Sequence, residues 1–319
     1  MTVAQSKEIQ RPGAQGAVHS LSLGQRMWQF RWMYAFVLPG LIYFVVFRYL
    51  PLLGNIIAFQ DFSPFLGFNG SPFVGLDNFR KLFTDPEFKT ALSNTLIINL
   101  LQLVFFFPMP IALALLLNSI LSEPVKRFMQ SVLYLPHFIS WVIIIALWQQ
   151  ILGGGGLMNQ VLRNQGYEPI NIMNNPATFK LLVVLQLIWK ETGWGTIIFL
   201  AALTKIDLQL YEAAVVDGAS GLRRLWHITL PGIRSVIVLL LILRLSQALS
   251  TGFEQLFLQR NAVGAQAAEV LDTFTFFRGI QGGDWGFSAA VGLVKGLVGM
   301  VLVFAANRVA KLLGEEGAF

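Results

Sequence analysis

Glu212-Ala213-Ala214, followed by Gly218 and then by Ile228-Thr229-Leu230-Pro231, sits in a mostly polar stretch, residues 204–232, with apolar runs on both sides. Each run is long enough to cross a bilayer, so the stretch reads as a connection lying on the membrane surface. Asp207 is placed to cap a helix starting at Leu208, because its carboxylate can accept from the free amides of a first turn. Residues 211–216 suit a helix, and Gly218 can take the positive φ that ends one. A second short helix over 220–227 would show Leu222, Leu225 and Trp226 on one side and Arg223 and Arg224 on the other. Pro231 then falls in the first turn of the next span, where its missing N–H is tolerated. The predicted element is an elbow of two short helices with the small residues Ala213 and Ala214 on an exposed flank.

Composition supports the membrane setting. Of 319 residues, 55% are hydrophobic and only 13% are charged, too apolar for a soluble domain of this size. Cysteine is absent, which excludes a disulfide framework, a thiolate metal site and a thiol nucleophile. The net charge of +6 comes from bases scattered singly between apolar runs, with no patch interleaved with aromatics. Membrane lipid is therefore an expected partner and nucleic acid is not. Residues 1–31 are polar, carry Lys7, Arg11, Arg26 and Arg31, and lack the early apolar core of a secretory signal. They predict a retained cytoplasmic tail, with an interfacial amphipathic helix possible over 21–33.

Hydropathy predicts six spans, near 34–58, 94–117, 131–152, 179–203, 233–251 and 288–308. The fold class is thus an all-α membrane protein with six transmembrane helices. An even number puts both termini on one side. With cytoplasmic termini, the inner segments hold twelve bases, including Lys126, Arg127, Lys205, Arg223, Arg224, Arg234, Arg308 and Lys311, and the outer segments hold seven. That bias favours termini inside.

The outer connections are predicted at 59–93, 153–178 and 252–287. The first has turn chemistry at Ser63-Pro64, Asn69-Gly70 and Ser71-Pro72, then a short amphipathic helix over 76–88. The third contains Gly282-Gly283-Asp284-Trp285, a turn carrying an aromatic. None is large enough to be a domain, so recognition outside the membrane falls to another protein. The inner connection at 118–130 is short.

Several charges fall inside spans: Lys190 and Glu191 in the fourth, Arg244 in the fifth, Lys295 in the sixth and Arg48 near the outer end of the first. A charge at the bilayer centre costs about 3 kcal/mol on insertion scales, so these side chains should face protein or water. Lys190 and Glu191 are sequence neighbours, about 100° apart on a helix, and are not expected to face one another. Glu191 is expected to seek Arg244 or Lys295. Gln186, Lys190, Gly193, Trp194 and Ile197 share one face of the fourth span. Arg244, Gln247 and Thr251 share one face of the fifth, and Gly292, Lys295, Gly296 and Gly299 one of the sixth. Such faces could line a polar route with an aromatic platform. They could equally form a buried ion network and a small-residue packing face at Gly292 and Gly296.

Glu-Ala-Ala, three residues, Gly, nine residues, Ile, one residue, Leu-Pro resembles, at every specified position, the signature of permease subunits of type I ATP-binding-cassette importers. Tyr134-Leu135-Pro136-His137-Phe138-Ile139-Ser140-Trp141, Trp189-Lys190-Glu191-Thr192-Gly193-Trp194-Gly195 and Gly252-Phe253-Glu254-Gln255 are similar to its poly- and oligosaccharide branch, as are Asn78-Phe79 and Asn94-Thr95. The resemblance implies a permease domain over 90–309, preceded by a tail (1–33) and a first helix with its outer loop (34–89), and followed by a tail (310–319). It implies that the elbow is a coupling helix docked on an ATPase subunit. Glu212 and Asp217 would bond that subunit, Ala213, Ala214 and Gly218 would supply shape, and Ile228, Leu230 and Pro231 would complete the motif. The implied partners are a second, paralogous permease, two ATPase subunits and an extracytoplasmic solute-binding protein. The implied setting is the bacterial inner membrane. The substrate would be an oligo- or polysaccharide, alginate being one acidic example.

No cofactor is expected in this chain. Gly153-Gly154-Gly155-Gly156 is followed by Leu157-Met158 and not by the Lys-Ser/Thr of a phosphate loop, so ATP and magnesium belong to the ATPase partner. His19, His137 and His227 lie in three separate segments and predict no metal site. Pro108 and Pro110 predict a kinked second span. Trp141 and Trp148 read as interfacial or packing residues. No nucleophile-base arrangement is recognisable, which argues against an enzyme. Two other classes stay open: an ion-coupled carrier, supported only by the charges within spans, and a membrane-embedded glycan enzyme.

Overall fold

Long runs of Leu, Ile, Val, Phe and Ala must pair all their backbone groups internally if they are to sit in hydrocarbon, and they do so as helices. The computed structural model describes Gly24, residues 28–312, Gly314, Glu315 and Gly317. Residues 1–23, with His19, and most of the predicted interfacial helix lie outside the described residues, as does part of 310–319. Five described helices are long and apolar enough to cross a membrane: Arg31–Phe59, Pro86–Asn118, Trp141–Asn164, Phe179–Leu203 and Trp285–Leu312. A sixth is a pair, Gly221–Gly232 and Arg234–Ser246, bent by 59°. Among the described residues β structure is limited to one bridge, Gln60 to Phe73. The chain divides into two compact units, one ending at Gly54 and one from Asn55 to Phe319. In the first, Arg31 lies over the Trp28 ring at 4.5 Å.

In the second unit the predicted spans survive with four corrections. The second span begins eight residues early, at Pro86, because Asp85 caps it: its Oδ1 accepts from Glu87 N at 2.8 Å and Phe88 N at 3.0 Å. The predicted amphipathic helix consequently stops at Thr84. The third span is broken. Helix Glu123–Tyr134 gives way to a tight turn, Leu135–Phe138, and to extended backbone at Ile139 and Ser140 before Trp141–Leu152 begins. Pro136 is the cause, since it cannot donate to the preceding turn. The expected inner connection therefore shrinks to the few residues between Asn118 and Glu123.

The fifth span is shorter than predicted. Its helix, Arg234–Ser246, has 13 residues and starts after the bend at Ile233, so Pro231 lies in the turn before the span. At about 1.5 Å per residue that is about 20 Å, less than a bilayer's hydrocarbon. The last correction concerns 252–287, which is not a loop. It carries helices Phe253–Val263 and Leu271–Thr275, and its Leu256, Val263, Ala268, Val270, Leu271 and Phe274 are core residues. Leu256 and Val270 pack with Ile98, Phe179 and Val183. Leu271 and Phe274 pack with Leu82, Phe88 and Phe287. Hydropathy overlooked this because Gln255 and Gln259 interrupt the apolar pattern.

The motifs that suggested a family are the joints of this core. Asn78 Nδ2 donates to Ala58 O and Gln60 O, both at 3.0 Å, against Gly286, where a Cβ would strike the Gln60 carbonyl. Asn94 Nδ2 donates to Glu269 O at 2.9 Å, and Thr95 Oγ1 accepts from Leu271 N at 2.9 Å. Much apolar surface stays outward: on Trp141–Leu152 only Ile144 is buried, while Val142, Ile143, Leu147 and Ile151 are exposed. Contiguous exposure of that kind fits lipid or a partner, not water.

Gly193 of the fourth span marks the closest approach to the broken third span, since a Cβ there would collide with the Leu133 carbonyl. Gly193→Ala is expected to destabilise the purified protein by about 1–3 kcal/mol, the range for overpacking. Gly296→Ala, whose Cβ would meet nothing within 4 Å, is the control. Equal melting temperatures for the two variants would contradict this packing.

Candidate functional site: a surface elbow and a fastened helix break

The elbow forms as its residues dictate. Asp207 Oδ1 accepts from Gln209 N at 2.9 Å and starts the helix Leu208–Val216. Gly218, at φ +71°, ends it, and Ala219 N returns to Ala214 O at 2.8 Å. Ser220 caps the short helix Gly221–Arg224, accepting from Arg223 N at 3.3 Å. A wide turn follows, in which Leu230 N reaches back five residues to Leu225 O. Tyr211 OH and Thr229 Oγ1, 2.9 Å apart, tie the two limbs.

The base of the elbow is anchored in apolar packing. Ile206 fits against Gly232, and the two ends of the elbow, at Ile206 and Ile233, belong to a cluster with Ala114, Phe199, Ala202 and Leu203. Outward, Glu212, Ala213, Asp217, Gly218 and Pro231 are exposed, while Ala214, Ile228 and Leu230 are half-buried. Among the described residues Glu212 makes no ion pair or side-chain hydrogen bond, and Asp217 makes none either. Leu208 and Val216 stand 72% and 87% exposed beside them. The elbow thus presents unspent carboxylates and apolar side chains on one rigid projection.

The second constellation unites two motifs far apart in sequence. Lys190, 6% exposed, donates from Nζ to His137 O at 2.6 Å and Ile139 O at 2.8 Å, with Pro136 O at 3.5 Å. The His137 and Ile139 carbonyls are ones that the break in the third span leaves without helical donors, whereas Pro136 O also accepts from Ile139 N at 3.1 Å. Glu191 Oε2 lies 2.7 Å from His137 Nδ1, and a carboxylate only accepts, so Nδ1 carries the proton. Trp194 stacks on the His137 ring, with centroids 4.4 Å apart and planes 3° apart, and Phe138 meets Trp194 edge-on.

The expected partners of Glu191 are therefore wrong. It pairs with His137 and, through Oε1 at 3.6 Å, with Lys190, its own neighbour. Both long side chains turn towards the break, which the angle between adjacent helical positions did not anticipate. Arg244 instead bonds Gln102 and lies over Phe106, and Lys295 bonds Asp272. Gln186 is fully buried among Gln255 and Gln259, at 2.9–3.1 Å.

The proposed route residues are thus dispersed. Lys190, Glu191 and Trp194 are at the break, Gln186 is in the core, and Arg244 is against the second span. Gln247 and Lys295 share a cleft of about 580 Å³ with Ser246, Ser250, Thr275, Ser288, Gly292 and Gly296. Gly292 and Gly296 face that cleft, with no atom of the described residues within 4 Å of a Cβ built there; the close approach within the chain is at Gly299, against Ser246 O. Sequence reasoning missed His137, Asp272, Gln102 and Gln259. Gln102 could have been found as the last polar residue before the apolar run from Leu103 to Leu117 in the second span.

The model of the family described as binding-protein-dependent transport system inner membrane component matches residues 106–315. The chain belongs to that family. It is 50% identical over 292 residues, 91% of each chain, to the polygalacturonan/rhamnogalacturonan transport system permease protein YteP of Bacillus subtilis (strain 168). It is 46% identical over 290 residues to protein LplB of the same organism, again covering 91% of each. A chain of a bacterial alginate ABC transporter, solved in complex with alginate pentasaccharide-bound periplasmic protein, superposes with a TM-score of 0.85 at 34% identity, covering 93% of this chain and 99% of that one. A chain of a bacterial ABC transporter involved in the import of the acidic polysaccharide alginate gives 0.84 at 35% identity, covering 91% and 98%. The expected type I permease fold and the inner-membrane, multi-pass setting therefore hold for this family member.

Lys295→Met would strand the Asp272 carboxylate, which also accepts from Thr251 N at 3.2 Å. A loss of about 1–3 kcal/mol is expected in thermal unfolding. Lys295→Met with Asp272→Asn should recover part of it. A double variant no better than the single would show that the pair does not matter.

Proposed function

We propose that this chain is the permease subunit of an ATP-driven, binding-protein-dependent importer of acidic oligosaccharides. Its termini would be cytoplasmic, and the elbow over 207–231 would be the docking element for an ATPase subunit. One observation carries the reading: among the described residues the Glu212 and Asp217 carboxylates have no side-chain partner and Leu208 and Val216 stand exposed beside them, while the base of the elbow is packed against the second, fourth and fifth spans. A loop that merely joined two spans would need neither the footing nor the exposure. ATP and magnesium would be bound by two separate ATPase subunits. A paralogous permease would supply the second half of the pathway, and an extracytoplasmic protein would deliver the substrate. Nucleotide binding would draw the elbows together and shift the population from inward-facing to outward-facing.

The substrate class rests on the relatives. Polygalacturonan and alginate, named for two of them, are both polymers of sugar acids, and their permeases cover nearly the whole chain. An ion-coupled carrier finds no matching support among the relatives, and Lys190, Glu191, Arg244 and Lys295 are each engaged by a partner.

In reconstituted complex, Glu212→Arg is expected to lower substrate-stimulated ATP hydrolysis at least about tenfold, the factor for one charge-assisted bond, without loss of membrane insertion. Gly218→Val should do the same by straining a positive-φ position, and Gly218→Asn should be milder. Full stimulation in all three would remove the elbow from the coupling role. Binding protein loaded with oligogalacturonate should stimulate hydrolysis more than the same protein offered a neutral oligosaccharide of equal length. Equal stimulation would overturn the acidic class.

A further inference from the structure

The fourth span has a property that its neighbours lack. Helix Phe179–Leu203 runs 25 residues without a proline or a break, and only residues 204–207 separate it from the elbow helix that starts at Leu208. The fifth span, on the other side of the elbow, is bent by 59° near Ile233. Phe199, Ala202 and Leu203 belong to the cluster on which the elbow stands. Lys190, Glu191 and Trp194 belong to the same helix, with Lys190 about 20 Å from its end at about 1.5 Å per residue.

We propose that Lys190, with Glu191 and His137, is a positioning device. It fastens the break of the third span to the fourth, so that displacement of the elbow reaches the break as a rigid movement. The chemistry of Lys190 supports this over a role in holding cargo. An ammonium has three donors. They are occupied by His137 O, Ile139 O and, more weakly, Pro136 O and Glu191 Oε1, so none remains for a substrate hydroxyl or carboxylate. Gly193 adds the close backbone approach at Leu133, and the stacked His137 and Trp194 rings close the other side. The carbonyl bonds of Lys190, the Glu191–His137 contact and the His137–Trp194 stack all join the break to one helix, and Gly193 holds the turn just before it. Movement of that helix relative to the break would have to open them together.

Two readouts test the proposal, which rests on the importer reading only for the second. The chain has no cysteine, so Leu135→Cys on the break and Val216→Cys on the elbow, 62% and 87% exposed, give a unique pair of spin-label sites. In the assembled complex the distance distribution between them should be narrow. It should broaden at least about twofold in Lys190→Met and be restored in Lys190→Arg, because losing a charged donor leaves the half-buried His137 and Ile139 carbonyls unpaired. An unchanged distribution in Lys190→Met overturns the fastening whatever the protein transports. The second readout is ATP hydrolysis against the concentration of oligogalacturonate-loaded binding protein. Lys190→Met should lower the maximal stimulated rate about tenfold with the half-saturating concentration unchanged. A raised half-saturating concentration at full maximal rate would mean that Lys190 contacts cargo, and would sink the positioning role. Should Lys190→Met fail to assemble, Glu191→Gln and His137→Gln decide the matter: acting through one contact, the double variant should be no worse than the worse single. Additive losses would overturn the proposal. Absence of stimulation in wild-type complex would count against the importer reading alone, since the spin-label result stands without it.

Discussion

A chain that stops being helical inside a membrane exposes carbonyls with no water to satisfy them. The break at Leu135–Ser140 poses that problem, and the Lys190 ammonium answers it. The charge, expensive by itself in an apolar setting, is offset by three carbonyl oxygens, the Glu191 carboxylate and the Trp141 ring at 5.7 Å. Each feature supports the other: a break without the lysine would leave the His137 and Ile139 carbonyls without their donor, and a lysine without the break would keep only its 3.6 Å pair with Glu191. That mutual dependence explains why two motifs more than fifty residues apart sit side by side.

The same logic recurs through the second unit. Asn94 and Thr95 satisfy the turn before Leu271, Asn78 satisfies the chain leaving Ala58, and Asn159 donates to Gly153 O and Ile170 O at 2.9 and 3.0 Å. In each case a short polar side chain on a regular helix serves backbone that is not regular. Regular helices bury their backbone groups unaided; the bends, breaks and returns that make room between them do not. The elbow differs in part: Asp207, Ser220, Tyr211 and Thr229 are spent on its own backbone and limbs, while the Glu212 and Asp217 carboxylates are left outward.

The spans were legible in the sequence because length and hydropathy suffice to find a helix that must satisfy itself. The elbow was legible in more detail, down to the capping Asp207 and the positive φ of Gly218, because local turn chemistry fixes both. What could not be read was anything requiring two distant segments. The Gln186, Gln255 and Gln259 network looks like three separate polar residues until the fourth span meets 253–263. Asp272 read as part of an outer loop and so was never considered for Lys295. The pairing of Glu191 failed for a different reason. Helical spacing locates Cβ atoms, whereas Lys and Glu side chains are long enough to converge on a common target beyond the helix surface.

Once the charges are paired, the polar surface that remains within the span region is of a different kind. The cleft beside Gln247 is edged by Ser246, Ser250, Thr275 and Ser288, with Gly292 and Gly296 leaving room, and its lysine is engaged with Asp272. Lys190, Arg244 and Lys295 are tied to backbone carbonyls, an amide oxygen and a carboxylate, and each of those bonds joins the helix that carries the cation to a different segment. What the cleft itself offers is hydroxyls and the room left by glycine, so the bonds that stiffen the helices also take the fixed charges of these spans out of its open surface.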